Sequence, residues 1–308
     1  MNLHKASIIM VVNESCGTHI DQAISSAVNQ NYPPSSFEII IFFDGTDNHY
    51  WNFLCEITSN IESPTIRLIR GVGDEGIGAA RNNAIEAASN EFLMLLDGDD
   101  YLFPDALLSC SHVIRPGIDL VFSDWTKVDV FGNVRYLNNS GRIYFQLHKR
   151  FKGSIYDPLF YFIFILQCQF IRRSAFFKAG CYNPLMTVGE SSDFLIRLSQ
   201  ISKGINFDYV PDALYAYRDN PRGVCNTKKE LLMKNRLSNM SSHVKTHCQE
   251  IMSMRYFGRV QPGNVRLFIP EFNRKCSFFE LPYVDYINKK IIDGTTAYKQ
   301  TGELAHQI

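Results

Sequence analysis

Four short apolar runs, each separated from the next by helical or turn-rich sequence, constrain this chain more than any other feature. Residues 7–12, 38–43, 65–69 and 92–96 read as strands with almost no polar interruption. Residues 20–28 place Ile20, Ala23, Ile24, Ala27 and Val28 on one helical face, and Asn31-Tyr32-Pro33-Pro34 breaks that helix. A further helix is predicted over 77–88. Apolar strands alternating with helices imply an α/β fold whose mostly parallel sheet is covered on both faces. Such sheets bind ligands beyond the carboxyl ends of their strands. Two of those ends are acidic: Asp44-Gly45-Thr46 after the second run, and Asp97-Gly98-Asp99-Asp100 after the fourth.

The second half is less regular. Residues 120–122 and 126–130 read as two strands, with a turn at Phe131-Gly132-Asn133. Ser174 is expected to cap a short helix that stops at Gly180. Phe194, Leu195, Leu198 and Ile201 share one face of a helix starting near Glu190. Beyond Asn226 the pattern changes: 228–254 predicts one or two polar helices, followed by an irregular aromatic tail. The expected organisation is one domain over 1–225, with halves 1–125 and 126–225, and a mainly helical extension over 226–308.

Composition narrows the partners. The 31 basic and 31 acidic residues cancel, and with no basic arm or stripe, nucleic acid is excluded as a principal partner. Eight cysteines occur singly, without a CxxC pair. They read as buried, reduced thiols of a cytosolic protein rather than a zinc site or a disulfide framework. The first residues run straight into a strand, so no signal peptide is expected. The apolar run 159–166 is too short to cross a bilayer. A cytoplasmic protein is expected, with at most peripheral contact at the inner face of the membrane. The aromatic stretches 160–164 and 278–286 read as core rather than surface anchors, because neither pairs an apolar face with a lysine-rich one.

The strand-end acids carry the chemistry. Burying unpaired carboxylates is costly, so acids at the tip of a buried strand call for a cation or hydrogen bonds. Their hard oxygens suit Mg²⁺ or Mn²⁺, which prefer one or two protein carboxylates plus substrate phosphates. A cation bridged in this way neutralises a departing diphosphate. An exposed acidic turn is the plainer alternative, since Asp-Gly is a common turn pair. The same choice applies to Asp44, which either closes a turn or accepts hydrogen bonds from a base edge or a ribose.

Taken together and in order, four segments resemble the family-two glycosyltransferases: Ser7-Ile8-Ile9-Met10-Val11-Val12-Asn13, Ala23 to Tyr32 followed by Phe37-Glu38-Ile39-Ile40-Ile41, Gly76-Ile77-Gly78-Ala79-Ala80-Arg81-Asn82, and Glu91 to Asp100. The match covers residues 6–125 well and 165–220 more loosely. The resemblance implies the GT-A nucleotide-diphospho-sugar transferase fold and inverting transfer from a UDP-sugar to a saccharide or lipid-linked saccharide hydroxyl, with Mn²⁺ or Mg²⁺, in bacterial surface polysaccharide synthesis. It further implies that Val12, Asn13, Asp44, Arg81 and Asp97 bind the donor, Asp44 through the nucleotide base. Asp99 and Asp97 are implied as metal ligands, and a carboxylate deprotonates the acceptor.

Three positions depart from the family's pattern. Phe43 stands where a second strand-end acid is common. Gly189-Glu190-Ser191-Ser192-Asp193 puts Ser191 at the usual base position, and Asn220 replaces a histidine in Tyr217-Arg218-Asp219-Asn220. A serine hydroxyl cannot take up a proton at neutral pH, which leaves Glu190 as the candidate base. Asp193 should face away, about 200° round the helix from Ser191. Ser191 and Asn220 also admit an inactive, nucleotide-binding member of the same fold. A rival chemistry is dinucleotide-dependent oxidation, because Gly71-Val72-Gly73-Asp74-Glu75-Gly76 matches GxGxxG. Asp74 and Glu75 would repel a pyrophosphate there, and that fingerprint normally follows the first strand.

Overall fold

The computed structural model describes residues 3–138, 145, 168–199, 206–232, 235, 266–269 and 274–277. Strands β1 (Ala6–Val12), β2 (Phe37–Phe43), β3 (Thr65–Arg70) and β4 (Phe92–Asp97) lie in the order β3-β2-β1-β4, all parallel. Helices α1 (His19–Val28), α2 (Asn48–Ser59) and α3 (Ile77–Glu86) connect them. Beyond β4 the sheet turns mixed. β8 (Phe170–Arg172) runs antiparallel to β4 and to β6 (Leu120–Val128), and β9 (Phe207–Arg218) runs parallel to β6. The short strand β5 (Tyr101–Leu102) closes the order on β9, and β7 (Val134–Asn138) forms a hairpin with β6.

The alternation of side chains builds two cores. Ile8, Met10, Ile39, Ile41 and Phe43 belong to one, with Ile20, Ala23 and Ile24 of α1 and Leu54 of α2. Ile9, Ile40, Phe42 and Leu93 belong to the other, with Ala80, Ala84 and Ile85 of α3 and Phe176, Phe194 and Leu195. Burying each such Ile, Leu or Phe contributes about 1.5–3 kcal/mol, so the parallel strands are held from both faces. β3 differs. It lies at the sheet edge with Thr65, Arg67 and Arg70 exposed, and its two arginines discourage edge pairing.

Several elements differ from the sequence expectation. The runs 120–122 and 126–130 join into a single strand, β6, which ends at Val128 and leaves Asp129 and Val130 in the turn that follows. Asp124 interrupts its apolar pattern, but the Tyr209 hydroxyl donates to that carboxylate at 2.5 Å and the register shifts around it. Ser174 is not a cap: the short helix is Arg173–Lys178, with Arg172 before it, and it stops ahead of Gly180 at φ +83°. Helix α2, helix α4 (Ala106–Val113) and β9 were not anticipated, although Tyr50, Trp51, Phe53, Leu54 and Ile57 give α2 a helical apolar period that packs on the first core. Part of the expected irregular tail is an antiparallel pair, β10 (Arg266–Ile269) with β11 (Arg274–Ser277). Apart from 228–232 and 235, the helices expected over 228–254 lie outside the described residues, as do the aromatic stretches 160–164 and 278–286. Among the described residues no helix is long and apolar enough to cross a membrane.

Candidate functional site

At the carboxyl edge of the sheet, β4 ends at Asp97, beside Val11 of β1. The chain then turns through Gly98, where a Cβ would sit 2.8 Å from both Cys16 Sγ and Val12 Cγ1, so only glycine lets the backbone pass. The three acids around it take three directions. Asp97 points into an open cleft, with its side chain 38% exposed. Asp99 lines the same cleft, and the Asn220 amide donates to its Oδ2 at 2.8 Å. Asp100 turns inward, where it accepts from the Tyr215 hydroxyl at 2.6 Å and from the Arg218 backbone N–H at 2.7 Å. Arg218 also donates through Nε to the Asp99 carbonyl at 2.7 Å and to two carbonyls after β6. Asp100 and Arg218 therefore lock the β4 turn to β9, leaving Asp97 and Asp99 to face the cleft.

The crowding shows in the electrostatics. Burial, and then the neighbouring Asp97 charge, raise the Asp99 carboxyl above its ordinary range, partly offset by the Asn220 amide. Asp100 is raised well above it by burial and then by Asp99. The buried Cys16 thiol beneath Asp99 is pushed up to about 12, by burial first and by Asp99 second. Negative charge is concentrated here beyond what protein donors neutralise, and a hard cation would offset it. Among the described residues no group of three His, Cys, Asp or Glu side chains is arranged to hold a metal by itself. Two carboxylates completed by donor phosphates match the way Mg²⁺ is ordinarily bound, so the residues present fit such an ion.

Arg81 joins the two walls of the cleft. It projects from α3, donates through Nη2 to Asp97, and through Nη1 reaches Glu190 at 2.5 Å and Ser191 Oγ at 3.1 Å. Burial opposes its charge, but Asp97 and Glu190 outweigh that and hold the guanidinium protonated. Glu190 begins the helix Glu190–Ser199 and is buried; its Oε1 also accepts from the Ser191 hydroxyl at 2.9 Å. Asp193 points elsewhere, into a pair with Arg197 at 2.8 Å.

Asp44 is arranged differently. It follows β2 and is buried, and its two oxygens accept from the backbone N–H groups of Glu75 and Gly76 at 2.8 and 3.1 Å. The GxGxxG segment is thus a loop fastened to Asp44, with Gly73, Asp74 and Gly76 at positive φ. Burial raises the Asp44 carboxyl above its ordinary value, and the two loop N–H groups counter part of that. Asp44 is not among the residues lining the cleft, whereas Val12 and Asn13 are. The Asn13 side chain accepts from the Ser15 N–H and hydroxyl, which fixes the turn below Asp99.

The structure therefore brings Val12, Asn13, Arg81, Asp97, Asp99, Glu190 and Ser191 to one cleft, which Asp44 does not line. Tyr215, Tyr217, Gln169 and Gly223 also line it and were not singled out from the sequence. Tyr215 and Tyr217 stand two residues apart on β9, so they share a face. That spacing was the available signal, but it could be used only once β9 was known to be a strand.

The glycosyl transferase family 2 model matches residues 7–178. A poly(ribitol-phosphate) beta-glucosyltransferase of Bacillus spizizenii is 34% identical over 104 residues, covering 34% of this chain and 16% of that protein. The chain thus spans well under two thirds of that relative's length. Among solved structures, S. aureus TarS 1-349 in complex with UDP-GlcNAc superposes with a TM-score of 0.59 at 16% identity, covering 78% of this chain and 66% of that one. The mannosyltransferase PcManGT of Pyrobaculum calidifontis, in complex with GDP-Man and Mn²⁺, does so with a TM-score of 0.58 at 12% identity, covering 99% and 80%.

Proposed function

That the chain belongs to glycosyl transferase family 2, with the GT-A fold of its structural neighbours, is the premise from which we propose that it moves a sugar from a UDP-sugar to a saccharide hydroxyl with inversion. One observation carries the proposal. Asp97 and Asp99 at the end of β4, and Glu190 at the start of the facing helix, share one cleft, and Arg81 links Asp97 to Glu190 across it.

In this reading residues 1–125 form the donor half and 126–225 the acceptor half of one domain, with 226–308 as an appendage. Asp99 and Asp97 hold Mn²⁺ or Mg²⁺, which supplies charge neutralisation for the leaving diphosphate. Val12 and Asn13 form the floor under the nucleotide. Asp44 serves the base, since each of its oxygens keeps a lone pair beyond the loop contacts. The acceptor hydroxyl attacks the anomeric carbon as the bond to the phosphate oxygen breaks. Its proton passes to Glu190, and Ser191 steadies that carboxylate. A single displacement of this kind inverts the anomeric centre.

The solved neighbours differ in nucleotide, one holding UDP-GlcNAc and the other GDP-Man with Mn²⁺. The UDP assignment rests on the first and on the family resemblance. The proposed setting is surface polysaccharide synthesis at the cytoplasmic face of the membrane, with a saccharide or lipid-linked saccharide as acceptor. A thermal-shift panel of UDP- and GDP-sugars with Mn²⁺ tests the donor, and the anomeric configuration of the product by NMR tests inversion. Stabilisation by GDP-sugars alone, or a retained configuration, would overturn the corresponding part.

A further inference from the structure

Three sets of contacts fasten α3 to the segment that leads into the helix Glu190–Ser199. The Asn82 amide brackets the Tyr182 backbone, its Nδ2 donating to the carbonyl and its Oδ1 accepting from the N–H, each at 2.9 Å. At Gly78 a Cβ would lie 2.6 Å from the Asn183 carbonyl oxygen, so a side chain there would push helix and segment apart. Arg81, with its guanidinium carbon 5.6 Å from the Tyr182 ring centre, then spans Asp97 on one side and Glu190 with Ser191 on the other. This arginine is 9% exposed where it lines the cleft, and each of its terminal nitrogens donates to a protein carboxylate.

A planar fork sets two carboxylates at a fixed separation, which a single ammonium on a flexible stem does not do. We infer that Arg81, backed by Asn82, is a positioning residue for the transfer reaction: it sets the Glu190 carboxylate in register with the donor-side acid Asp97 and does not itself ligate the donor. The inference rests on Glu190 as the base, and it gives the Ala-Arg-Asn segment a mechanical role. The arginine aims the facing carboxylate, and the asparagine holds the backbone from which that carboxylate springs.

The test uses the full chain and the variants Arg81→Lys, Asn82→Ala, Glu190→Gln and Arg81→Lys/Glu190→Gln. It reads kcat, acceptor KM and the Kd for UDP by calorimetry. A misplacement on the order of 1 Å can cost about 10²-fold in rate. Arg81→Lys should therefore lower kcat by about that factor while the UDP Kd stays within about twofold. Asn82→Ala touches neither carboxylate and should lower kcat by about tenfold through the backbone it releases. In the Glu190→Gln background, Arg81→Lys should add less than about threefold, because the group it aims is already gone. If Arg81→Lys does not fold, Asn82→Ala carries the same cycle.

A UDP Kd raised about tenfold or more by Asn82→Ala and Arg81→Lys alike would overturn the inference and make this wall a donor-binding element. Multiplicative losses in kcat, or an Asn82→Ala protein that melts earlier yet keeps its kcat, would overturn it as well. Glu190→Gln at the wild-type rate removes the base assignment and this inference together. An impaired Glu190→Gln with multiplicative losses removes the inference alone.

Discussion

At the end of β2, Asp44 directs both carboxylate oxygens into the backbone of the loop after β3, whereas at the end of β4 three acids divide their tasks. Both sites are Asp-Gly pairs that close an apolar strand. At β2 the neighbouring edge strand delivers a loop whose N–H groups lie within reach, and the carboxylate becomes a fastener. At β4, Asp100 finds the Tyr215 hydroxyl and the Arg218 N–H, while Asp97 and Asp99 are left with one cationic neighbour and one amide between them and the cleft. The donors that the surrounding backbone offers decide how much of a strand-end carboxylate is left for a ligand: part of it at Asp44, most of it at Asp97 and Asp99.

The largest effect should come from Glu190→Gln, which keeps size and removes the basic oxygen. The account expects kcat to fall about 10²–10⁴-fold with UDP affinity nearly intact. Turnover at the wild-type rate on a working acceptor would move the base elsewhere and leave the β4 acids without their partner across the cleft.

Asp100→Ala comes next, and it should act on the fold rather than on the ligand. It strands a buried hydroxyl and a backbone N–H, at about 1–3 kcal/mol for each unsatisfied group. Denaturant unfolding should show a loss of about 2–6 kcal/mol, with UDP affinity in the folded fraction changed less than in Asp99→Ala. Full stability in Asp100→Ala would contradict the division of labour among the three acids.

Asp44→Ala should weaken UDP binding by about 1.5–3 kcal/mol, the range for hydrogen bonds to charged groups. Unchanged affinity with a lower melting temperature would leave Asp44 a loop anchor only and make the two strand ends wholly unlike. The smallest effect is on pH dependence. Burial raises the Asp44 carboxyl above its ordinary 3.8, so between that value and its folded one the native state binds more protons than the unfolded chain. Stability from this group therefore rises as pH falls through the folded value and is fully regained below about 3.8, the sign opposite to that of an ion-paired acid. Asp44→Asn should flatten that part of the stability–pH curve, measured by chemical denaturation, and a curve of unchanged slope would count against it.

Much of the first half was legible in the sequence, because its strands are buried on both faces and so continuously apolar. β1, β2 and β4 each differ from the expected bounds by one residue at one end. The acids at Asp97 and Asp99 could be named for the same reason: they follow a strand that cannot be exposed. What could not be read was direction. Nothing local distinguishes Asp44, which turns to its own loop, from Asp97, which faces the cleft, since the difference lies in donors brought from 31 and 32 residues away. The second half was harder because β6 carries Asp124 and β9 carries Pro211 and Asp212 within their strands, which hides the period. The Arg81–Glu190 contact spans 109 residues and has no signature in either segment alone.

The central claim is that Asp97 and Asp99 form the cation-dependent end of the donor site, and Asp99→Ala tests it most directly. UDP is titrated calorimetrically into the wild-type and Asp99→Ala proteins, each with Mn²⁺ and with EDTA. The account predicts that the wild type binds far more tightly with Mn²⁺ than with EDTA, and that the folded Asp99→Ala protein binds weakly and equally in both. Wild-type affinity in Asp99→Ala that still depends on Mn²⁺, or a wild type indifferent to Mn²⁺, would contradict it.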